Sequence, residues 1–284
     1  MKFFDLHCDT AYKCYTQNLS FNNDALAVNT VKAACFDNWY QCFAIFIDDI
    51  ISEPFEFYQN TLKYFKNQII KKPHNLTPVF TVEGGRLIQD DLSRVEQLYI
   101  DGIKALTLTW NGENQIAGGV DTGTRLKPFG KQVIAELNRF GIFADLSHLN
   151  KQSFFDAIEV ADKPIVTHTC CEYVYEHKRN IDDTQLKLLT EKNGIMGLCF
   201  YPAFLGQCDV FENIYKNIYH ILELGYEDYL SIGSDFDGAD MADNLSDISF
   251  VPTLYNYLKK RGINEQTLNK IFFTNAFNFF KGEV

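Results

Sequence analysis

The sequence lacks any apolar run approaching the roughly 20 residues that a membrane-spanning helix needs, and no secretion signal is visible at its start. The opening stretch, MKFFDLHCDT, leads directly into polar side chains and not into an apolar segment of signal-peptide length. We therefore expect a cytoplasmic protein that does not engage a membrane. The 284 residues are 46% hydrophobic and 22% charged, which is typical of a globular fold.

Positive charge is also scarce. The formal net charge is −11, and Lys and Arg form no cluster of the kind that neutralises phosphates, which argues against a nucleic-acid partner. The eight cysteines include no CxxC pair, and the expected compartment is reducing. We interpret them as small buried apolar side chains, and not as disulfides or thiolate metal ligands.

The chain contains no low-complexity stretch and no Pro- or Ser-rich linker, and short apolar runs alternate with amphipathic helical stretches. Runs that are apolar throughout are typical of strands covered on both faces. The predicted strands are 3–8, 41–47, 78–82, 105–109, 142–146, 164–167, 195–200 and 229–233. The predicted helices are 55–71, 90–99, 129–140, 182–192 and 211–224, several of which are followed by glycine.

About eight strands, each followed by a helix, predict an α/β fold of the (β/α)8 TIM-barrel type, with one domain over residues 1–284. A doubly wound open sheet is the alternative, but it usually carries a Gly-rich phosphate turn after its first strand, and none is present. A last helix at 265–280 is expected to pack its Phe-rich side on the barrel.

Metal-ligand residue types stand at the ends of the predicted strands, where barrels of this kind place their reactive groups. They are His7, Asp9, Glu83, His148, His168 and Asp235. Alternation along a strand puts His7 and Asp9 on the same face. Imidazoles and carboxylates suit Zn²⁺ or a similar divalent ion. Five ligands are too many for one catalytic zinc ion, so two ions that share a carboxylate bridge would account for the surplus.

Each of these residues also has an ordinary structural interpretation. A single histidine at a strand end is more often a hydrogen-bonded core residue than a ligand. Asp9 or Asp235 alone could cap the following helix, and Glu83 could belong to a turn with the two glycines that follow it. Unrelated caps and turns would not be expected to place ligand-type residues at the same end of five strands, so we favour a metal site.

The other three histidines are weaker candidates. His74 lies in a Lys-Pro-His-Asn loop and His220 within a predicted helix, so both are expected to be structural or solvated. His177 is close to Arg179 and could touch a substrate.

Eight sequence stretches together carry a family resemblance. They are DLHCDT at 5–10, VEGG at 82–85, LTLTWN at 106–111, ADLSHL at 144–149, PIVTHT at 164–169, HKRNIDDTQL at 177–186, GLCFYPAFL at 197–205 and IGSDFDG at 232–238. In these stretches the chain resembles the membrane (renal) dipeptidase family of zinc peptidases, within the amidohydrolase barrel superfamily, and most closely a short cytoplasmic bacterial-type member. The stretches follow the family's order over nearly the whole chain, which makes the set specific.

The resemblance implies a role for each matched position in the metal site. His7 and Asp9 would hold one zinc ion, and His148 and His168 would hold the other. Glu83 would bridge the two ions.

The resemblance also implies substrate contacts. Asp235 would shuttle protons as the catalytic residue, and Arg179 would bind the C-terminal carboxylate of the substrate, which suits a bidentate guanidinium. The alternative for Arg179 is an exposed surface position. Trp110, Asn111 and Tyr201 lie in the matched stretches and are predicted to bind substrate.

One position departs from the family. Eukaryotic members have a histidine after the LTLT run, where it stabilises the tetrahedral intermediate, whereas this chain has Trp110 followed by Asn111. An indole N–H donates one hydrogen bond but carries no charge. Either Trp110 or Asn111 replaces that histidine, or the substrate range differs, and Trp110 could equally be an apolar wall. The Gly-rich segment 111–127 that follows could be a lid or a disordered surface loop.

The resemblance implies a metallo-dipeptidase that hydrolyses dipeptides with a free C-terminal carboxylate. Two divalent ions, expected to be Zn²⁺, would hold a bridging hydroxide as the nucleophile. By analogy the protein would form a homodimer. Another hydrolase acting on N-acyl amino acids, cyclic amides or lactones is the first alternative, because fold and metals do not determine the substrate. A non-catalytic metal-binding barrel is the second.

Overall fold

Eight parallel strands close into a barrel in sequential order, and the first strand is hydrogen-bonded to the eighth. The structure, a computed structural model, describes residues 1–70, 72–206 and 209–281. The strands are β1 (Lys2–Cys8), β2 (Asn38–Phe46), β3 (Leu76–Glu83), β4 (Ile103–Thr107), β5 (Phe143–Asp145), β6 (Ile165–Thr169), β7 (Ile195–Leu198) and β8 (Leu230–Ile232). The predicted strands and the (β/α)8 TIM barrel are therefore confirmed.

Helices cover the outside of the barrel. They are α1 (Thr10–Thr16), α2 (Pro54–Gln68), α3 (Ser93–Ile100), α4 (Pro128–Phe140), α5 (Lys151–Val160), α6 (Asp183–Glu191), α7 (Pro202–Leu205), α8 (Val210–Glu223), α9 (Val251–Lys260), α10 (Glu265–Asn269) and α11 (Asn275–Phe279). Asp182 and Gln185 form a capping box at the start of α6, and Gly141 ends α4 in the left-handed conformation.

Four of these helices are absent from the sequence prediction. Helices α1 and α7 have only 7 and 4 residues, too few to show a helical period. Helices α5 and α9 are longer, and the start of α5 carries a cap signal in Asn150, whose side chain accepts from the Ser153 N–H. Lys71, the predicted end of the helix at 55–71, lies outside the described residues, and α2 ends at Gln68.

The floor of the barrel is closed by the C-terminal helix. Instead of one continuous helix over 265–280, α10 and α11 are joined by a π-helical turn at Lys270–Thr274. Phe272 faces the large core between barrel and helices, whereas Phe280 packs with Phe4 inside the barrel, with 5.4 Å between ring centroids. The expected Phe-rich contact is confirmed, and its effect is to leave only the opposite end of the barrel open.

The cysteines follow the prediction with one exception. Seven are described and all are free thiols; six are buried, but Cys35 is exposed in the loop before β2, so the buried interpretation is wrong there. Cys208 lies outside the described residues. Within the described ranges, none of the helices has both the length and the apolar character needed to cross a bilayer.

The barrel floor yields a stability prediction. Phe280 is fully buried, so Phe280→Ala should lower the free energy of unfolding by about 3–5 kcal/mol. Ile50 is 86% exposed, and Ile50→Ala should change it by no more than about 0.5 kcal/mol. Urea unfolding of the parent and the two variants measures the free energy of unfolding. Equal decreases in both variants would contradict the stabilising role given to the barrel floor.

Candidate active site

The barrel brings the five predicted ligand residues together at the carboxyl ends of its strands. Three groups of ligand atoms are each close enough to surround an ion. Two groups share Glu83: one consists of His7, Asp9 and Glu83, and the other of Glu83, His148 and His168. The third group consists of His7, His168 and Asp235. The five residues therefore lie together, and their division between two ions, with Glu83 shared, stays a prediction of the family resemblance.

The shared glutamate lies between histidines of the two groups. One oxygen, Oε2, is 3.3 Å from His7 Nε2, and the other, Oε1, is 2.7 Å from His148 Nε2. Asp9 Oδ2 lies 3.2 Å from His7 Nε2, as expected for two residues on the same face of a strand. The two Nε2 atoms of His148 and His168 are 2.9 Å apart. All five side chains are buried.

Backbone pairing across the barrel closure sets the position of Asp235. The Asp235 N–H donates to the His7 carbonyl, and the Asp9 N–H donates to the Phe236 carbonyl. Asp235 and His148 both adopt left-handed backbone conformations, with φ of 67° and 66°. Such conformations are uncommon for non-glycine residues and concentrate at functional sites.

Hydrogen bonds to the far side of two rings show that the residues fit metal ions. His148 Nδ1 lies 2.8 Å from Asn111 Oδ1, and His168 Nδ1 lies 2.9 Å from Thr167 Oγ1. The amide oxygen only accepts, so a neutral His148 uses its single proton on Nδ1 and leaves a lone pair on Nε2. That lone pair faces Glu83 Oε1, and two acceptors at this distance repel unless a cation lies near both.

Burial and neighbouring charge shape the protonation of the site. Burial, assisted by Arg179, lowers the pKa of His148 to about 4, and burial holds the pKa of His168 well below its usual range. Burial would also lower the pKa of His7, but the Asp9 and Glu83 carboxylates raise it well above its usual range. His148 and His168 are therefore neutral at pH 7, the form in which imidazole binds a metal.

The two aspartates, Asp9 and Asp235, shift in the opposite direction to His148 and His168. Burial, followed by the charge of Glu83, raises the pKa of Asp9 to about 8. Burial raises the pKa of Asp235 to about 6, with His7 acting against it. One oxygen of Asp235 lies 3.8 Å from His7 Nε2, and the other accepts from the Cys199 thiol at 3.7 Å. Nothing in the sequence pattern had pointed to Cys199.

Arg179 is buried, so the exposed alternative for it is wrong. Its Nη2 donates weakly to the His168 carbonyl at 3.4 Å, and its guanidinium lies 5.1 Å from the centre of the Phe204 ring. In the part of the chain that the structure describes, Nε has no hydrogen-bond partner. Burial lowers the pKa of Arg179, and Asp235 is the carboxylate that most opposes this shift.

A cavity of about 730 Å³ opens over the site and has two contrasting walls. Tyr12, Phe46 and Trp110 line the side that follows β1, β2 and β4. The Trp110 and Phe46 rings pack edge to face, with 5.2 Å between centroids. Arg179 and Tyr201 line the side that follows β6 and β7. Tyr12 and Phe46 were missed by sequence reasoning, because their side chains look like ordinary helix and strand residues.

The structure distinguishes between the two residues that follow the LTLT run. Trp110 contributes an aromatic face to the cavity, with its ring 6.4 Å from that of His148. Asn111 also lines the cavity, but its side-chain oxygen is already bonded to His148. Asn111 is therefore positioned to orient His148, and its predicted contact with substrate stays a prediction.

The Gly-rich segment 111–127 is packed and ordered. Ile116 and Ala117 are fully buried, and Val120 N–H donates to the His148 carbonyl. The disordered-loop interpretation is therefore wrong, and the lid interpretation stays a prediction.

The remaining histidines lie where the sequence suggested. His74 is exposed, and His220 is buried against Asp183 with 2.8 Å between its Nε2 and Oδ1. His177 lines the cavity, and its Nδ1 accepts from the Arg179 N–H at 3.2 Å.

This barrel and its site match a known family. Residues 49–283 fit the sequence model of the membrane dipeptidases, Peptidase family M19. The chain belongs to this family.

Individual family relatives agree with that assignment. A Schizosaccharomyces pombe protein named as an uncharacterized dipeptidase is 30% identical over 218 residues, which are 73% of this chain and 53% of that protein. The matched stretch thus spans about half the length of that relative.

Two solved structures share the fold. A metallo peptidase from Rhodobacter sphaeroides, liganded with a phosphinate mimic of the dipeptide L-Ala-D-Ala, has a TM-score of 0.91 at 21% identity, covering 99% of both chains. The probable dipeptidase PvdM from Pseudomonas aeruginosa has a TM-score of 0.88 at 15% identity, covering 100% of this chain and 95% of its own.

Close packing at the rim of the cavity yields a second prediction. A Cβ on Gly238 would lie 2.1 Å from Asp9 Oδ2 and 2.8 Å from Asp235 Oδ1, whereas a Cβ on Gly123 would meet nothing within 4 Å. Gly238→Ala should therefore displace these carboxylates and destabilise the metal-free protein by about 1–3 kcal/mol. Gly123→Ala, the control, should not, and urea unfolding that ranks the two variants alike would refute the packing described here.

Proposed function

We propose that the protein is a dipeptidase that uses two divalent metal ions, with Zn²⁺ as the expected ion, to hydrolyse dipeptides carrying a free C-terminal carboxylate. Family membership and the shared-glutamate arrangement of ligand atoms both support this proposal. The observation that carries the substrate assignment is the state of Arg179.

Arg179 is a buried cation with too few partners. Its Nε donates to no described group, and its Nη2 makes only a long 3.4 Å contact with the His168 carbonyl oxygen among the described residues. A guanidinium stays charged in proteins, and burying a charge is unfavourable unless it is paired. Because Arg179 lines the cavity beside the metal-type cluster, a carboxylate at one end of a small substrate would supply the missing partner.

The ions fit the residues that would hold them. His7, Asp9 and Glu83 would bind one ion, and Glu83, His148 and His168 the other. Ions bound there would act as Lewis acids on the scissile carbonyl and lower the pKa of water to about 7. Glu83 presents one oxygen to each group, as a bridging carboxylate requires.

Asp235 is suited to move the proton that hydrolysis requires. Its side chain lines the cavity at the edge of the cluster, and its pKa of about 6 lies close to neutrality, where a group can both accept and donate. Asp235 Oδ1 would take a proton from the attacking water and deliver it to the leaving nitrogen. The products are an amine and a carboxylate, so one water is consumed for each peptide bond cleaved.

The aromatic wall would receive the N-terminal residue of the dipeptide. With the carboxylate on Arg179 and the scissile bond over the cluster, the other end of the substrate points toward Trp110, Phe46 and Tyr12. These rings favour an apolar or aromatic side chain. Tyr201 lies beside Phe204 on the Arg179 side, with 5.0 Å between ring centroids, and would contact the C-terminal residue.

Metal content and substrate range test the proposal together. The purified protein should bind about two equivalents of Zn²⁺, and His148→Ala should bind about one and lose nearly all turnover. Hydrolysis of L,L- and L,D-dipeptides should exceed that of N-acetyl amino acids, cyclic amides and lactones. The exposed His74→Ala serves as the control. Fast hydrolysis of an N-acetyl amino acid with no cleavage of any dipeptide would contradict the substrate assignment.

The role of Arg179 has its own test. The parent should discriminate strongly between a dipeptide and its C-terminal amide, because the amide cannot pair with the guanidinium. Arg179→Ala should raise KM for the free dipeptide by about tenfold to a hundredfold, from the loss of a charged hydrogen bond, and should no longer distinguish the two substrates. Arg125→Ala, which removes an exposed ion pair with Asp156, is the matched control. Unchanged discrimination in the Arg179 variant would show that another group binds the carboxylate.

The cytoplasmic location and the homodimer are proposals that rest on the sequence and the family resemblance. Gel filtration with light scattering would measure the oligomeric state directly.

A further inference from the structure

A buried carboxylate beneath the site holds four hydrogen bonds. Asp145, at the end of β5, accepts through Oδ1 from the N–H groups of Ser147 and Thr167, at 3.0 and 3.1 Å. Its Oδ2 accepts from the hydroxyls of Thr107 and Thr167, at 2.6 and 2.7 Å. Asp145 thereby links β4, β5 and β6 directly below two candidate metal ligands, and no step of the proposed reaction uses it.

The first strand carries the same arrangement. Asp5 in β1 accepts through Oδ1 from the N–H groups of His7 and Ser234, at 3.3 and 2.8 Å. Its Oδ2 accepts from Gln41 and from the Ser234 hydroxyl, at 2.8 and 2.6 Å. Each aspartate accepts from the N–H of the residue two positions ahead of it. Each also accepts from the N–H and the hydroxyl of one further residue, Thr167 in β6 or Ser234 just after β8. Thr167 immediately precedes His168, and Ser234 immediately precedes Asp235.

The hydrogen-bond networks of Asp145 and Asp5 differ in whether the hydroxyl also contacts a histidine ring. Thr167 Oγ1 lies 2.9 Å from His168 Nδ1, whereas Ser234 Oγ bonds to the Asp5 carboxylate and to backbone groups of His7 and Phe236. A hydroxyl has one proton to donate. Thr167 Oγ1 also lies 3.2 Å from Ser147 Oγ. Since Thr167 donates its proton to the Asp145 carboxylate, its oxygen is left to accept, which favours a proton on His168 Nδ1.

We infer that Asp145 is a positioning residue that acts through the Thr167 hydroxyl to hold His168 as the Nδ1-protonated tautomer, with Nε2 open toward Glu83. This inference rests on the proposed function, because the choice of tautomer matters only when Nε2 binds an ion. Partners of this kind behind a metal-binding histidine contribute about tenfold to a hundredfold in metal affinity. His148 is oriented directly by the amide oxygen of Asn111. His168 is oriented by the Thr167 hydroxyl, which is itself held by the buried Asp145 carboxylate, and we call this pair of contacts the relay.

The tautomer can be measured without metal or substrate. Long-range ¹H–¹⁵N NMR of the metal-free, histidine-labelled protein at neutral pH should show His168 protonated on Nδ1 and bare on Nε2. Thr167→Val removes the hydroxyl while keeping a similar shape, and should shift His168 toward the Nε2-protonated form. Thr167→Ser should restore the parent pattern. An Nε2-protonated His168 in the parent protein would overturn the inference, even if the valine variant failed to fold.

Metal affinity gives the second readout, by competition with a chelator. Thr167→Val should weaken one Zn²⁺ equivalent by about tenfold to a hundredfold, and Thr167→Ser should stay within about threefold of the parent. Ser234→Ala is the matched control, because it also removes a hydroxyl bonded to a buried aspartate but leaves no imidazole without its partner. Equal metal affinities in the Thr167→Val variant and the parent would refute the relay. Absence of metal binding by the parent would instead refute the proposed function, and the NMR result would still stand.

Discussion

The site depends on one constraint, which is that lone pairs of imidazole nitrogens and carboxylate oxygens lie close together at the rim of the barrel. Imidazole nitrogens and carboxylate oxygens approach one another to about 3 Å, and Glu83 presents one oxygen to each side. With the tautomers inferred above, the rings of His148 and His168 present unprotonated nitrogens to the cluster, so the facing atoms are acceptors. Divalent cations would relieve the repulsion between these acceptors, which is why we propose that the cluster binds metal.

The rest of the fold can be understood as the means of holding these acceptors in place. Aromatic side chains from the C-terminal helix fill the lower end of the barrel, so the open end is left for polar groups. Asp5 and Asp145 then join neighbouring strands just below that end. Burial of the cluster strengthens its electrostatic interactions with Arg179, and the same guanidinium suits the cavity to a substrate that ends in a carboxylate.

Sequence reasoning could bring the candidate ligand residues together because each lies at the end of a strand, and parallel strands in a barrel end on one rim. It could not find the partner of Asn111, since that contact depends on how a Gly-rich loop folds back onto the end of β5. The burial of Arg179 was equally hidden, because the sequence HKRN around it is polar and the neighbouring Phe204 lies in α7, after a different strand. Cys35 shows the opposite error, where an apolar residue type lies in an exposed loop.

The most direct measurement is anomalous diffraction at the zinc edge from crystals grown with Zn²⁺. The account predicts two peaks about 3.5–4 Å apart, one among His7, Asp9 and Glu83 and the other among Glu83, His148 and His168. No peak in the cluster, or a single peak that leaves Glu83 without a bridging contact, would contradict it.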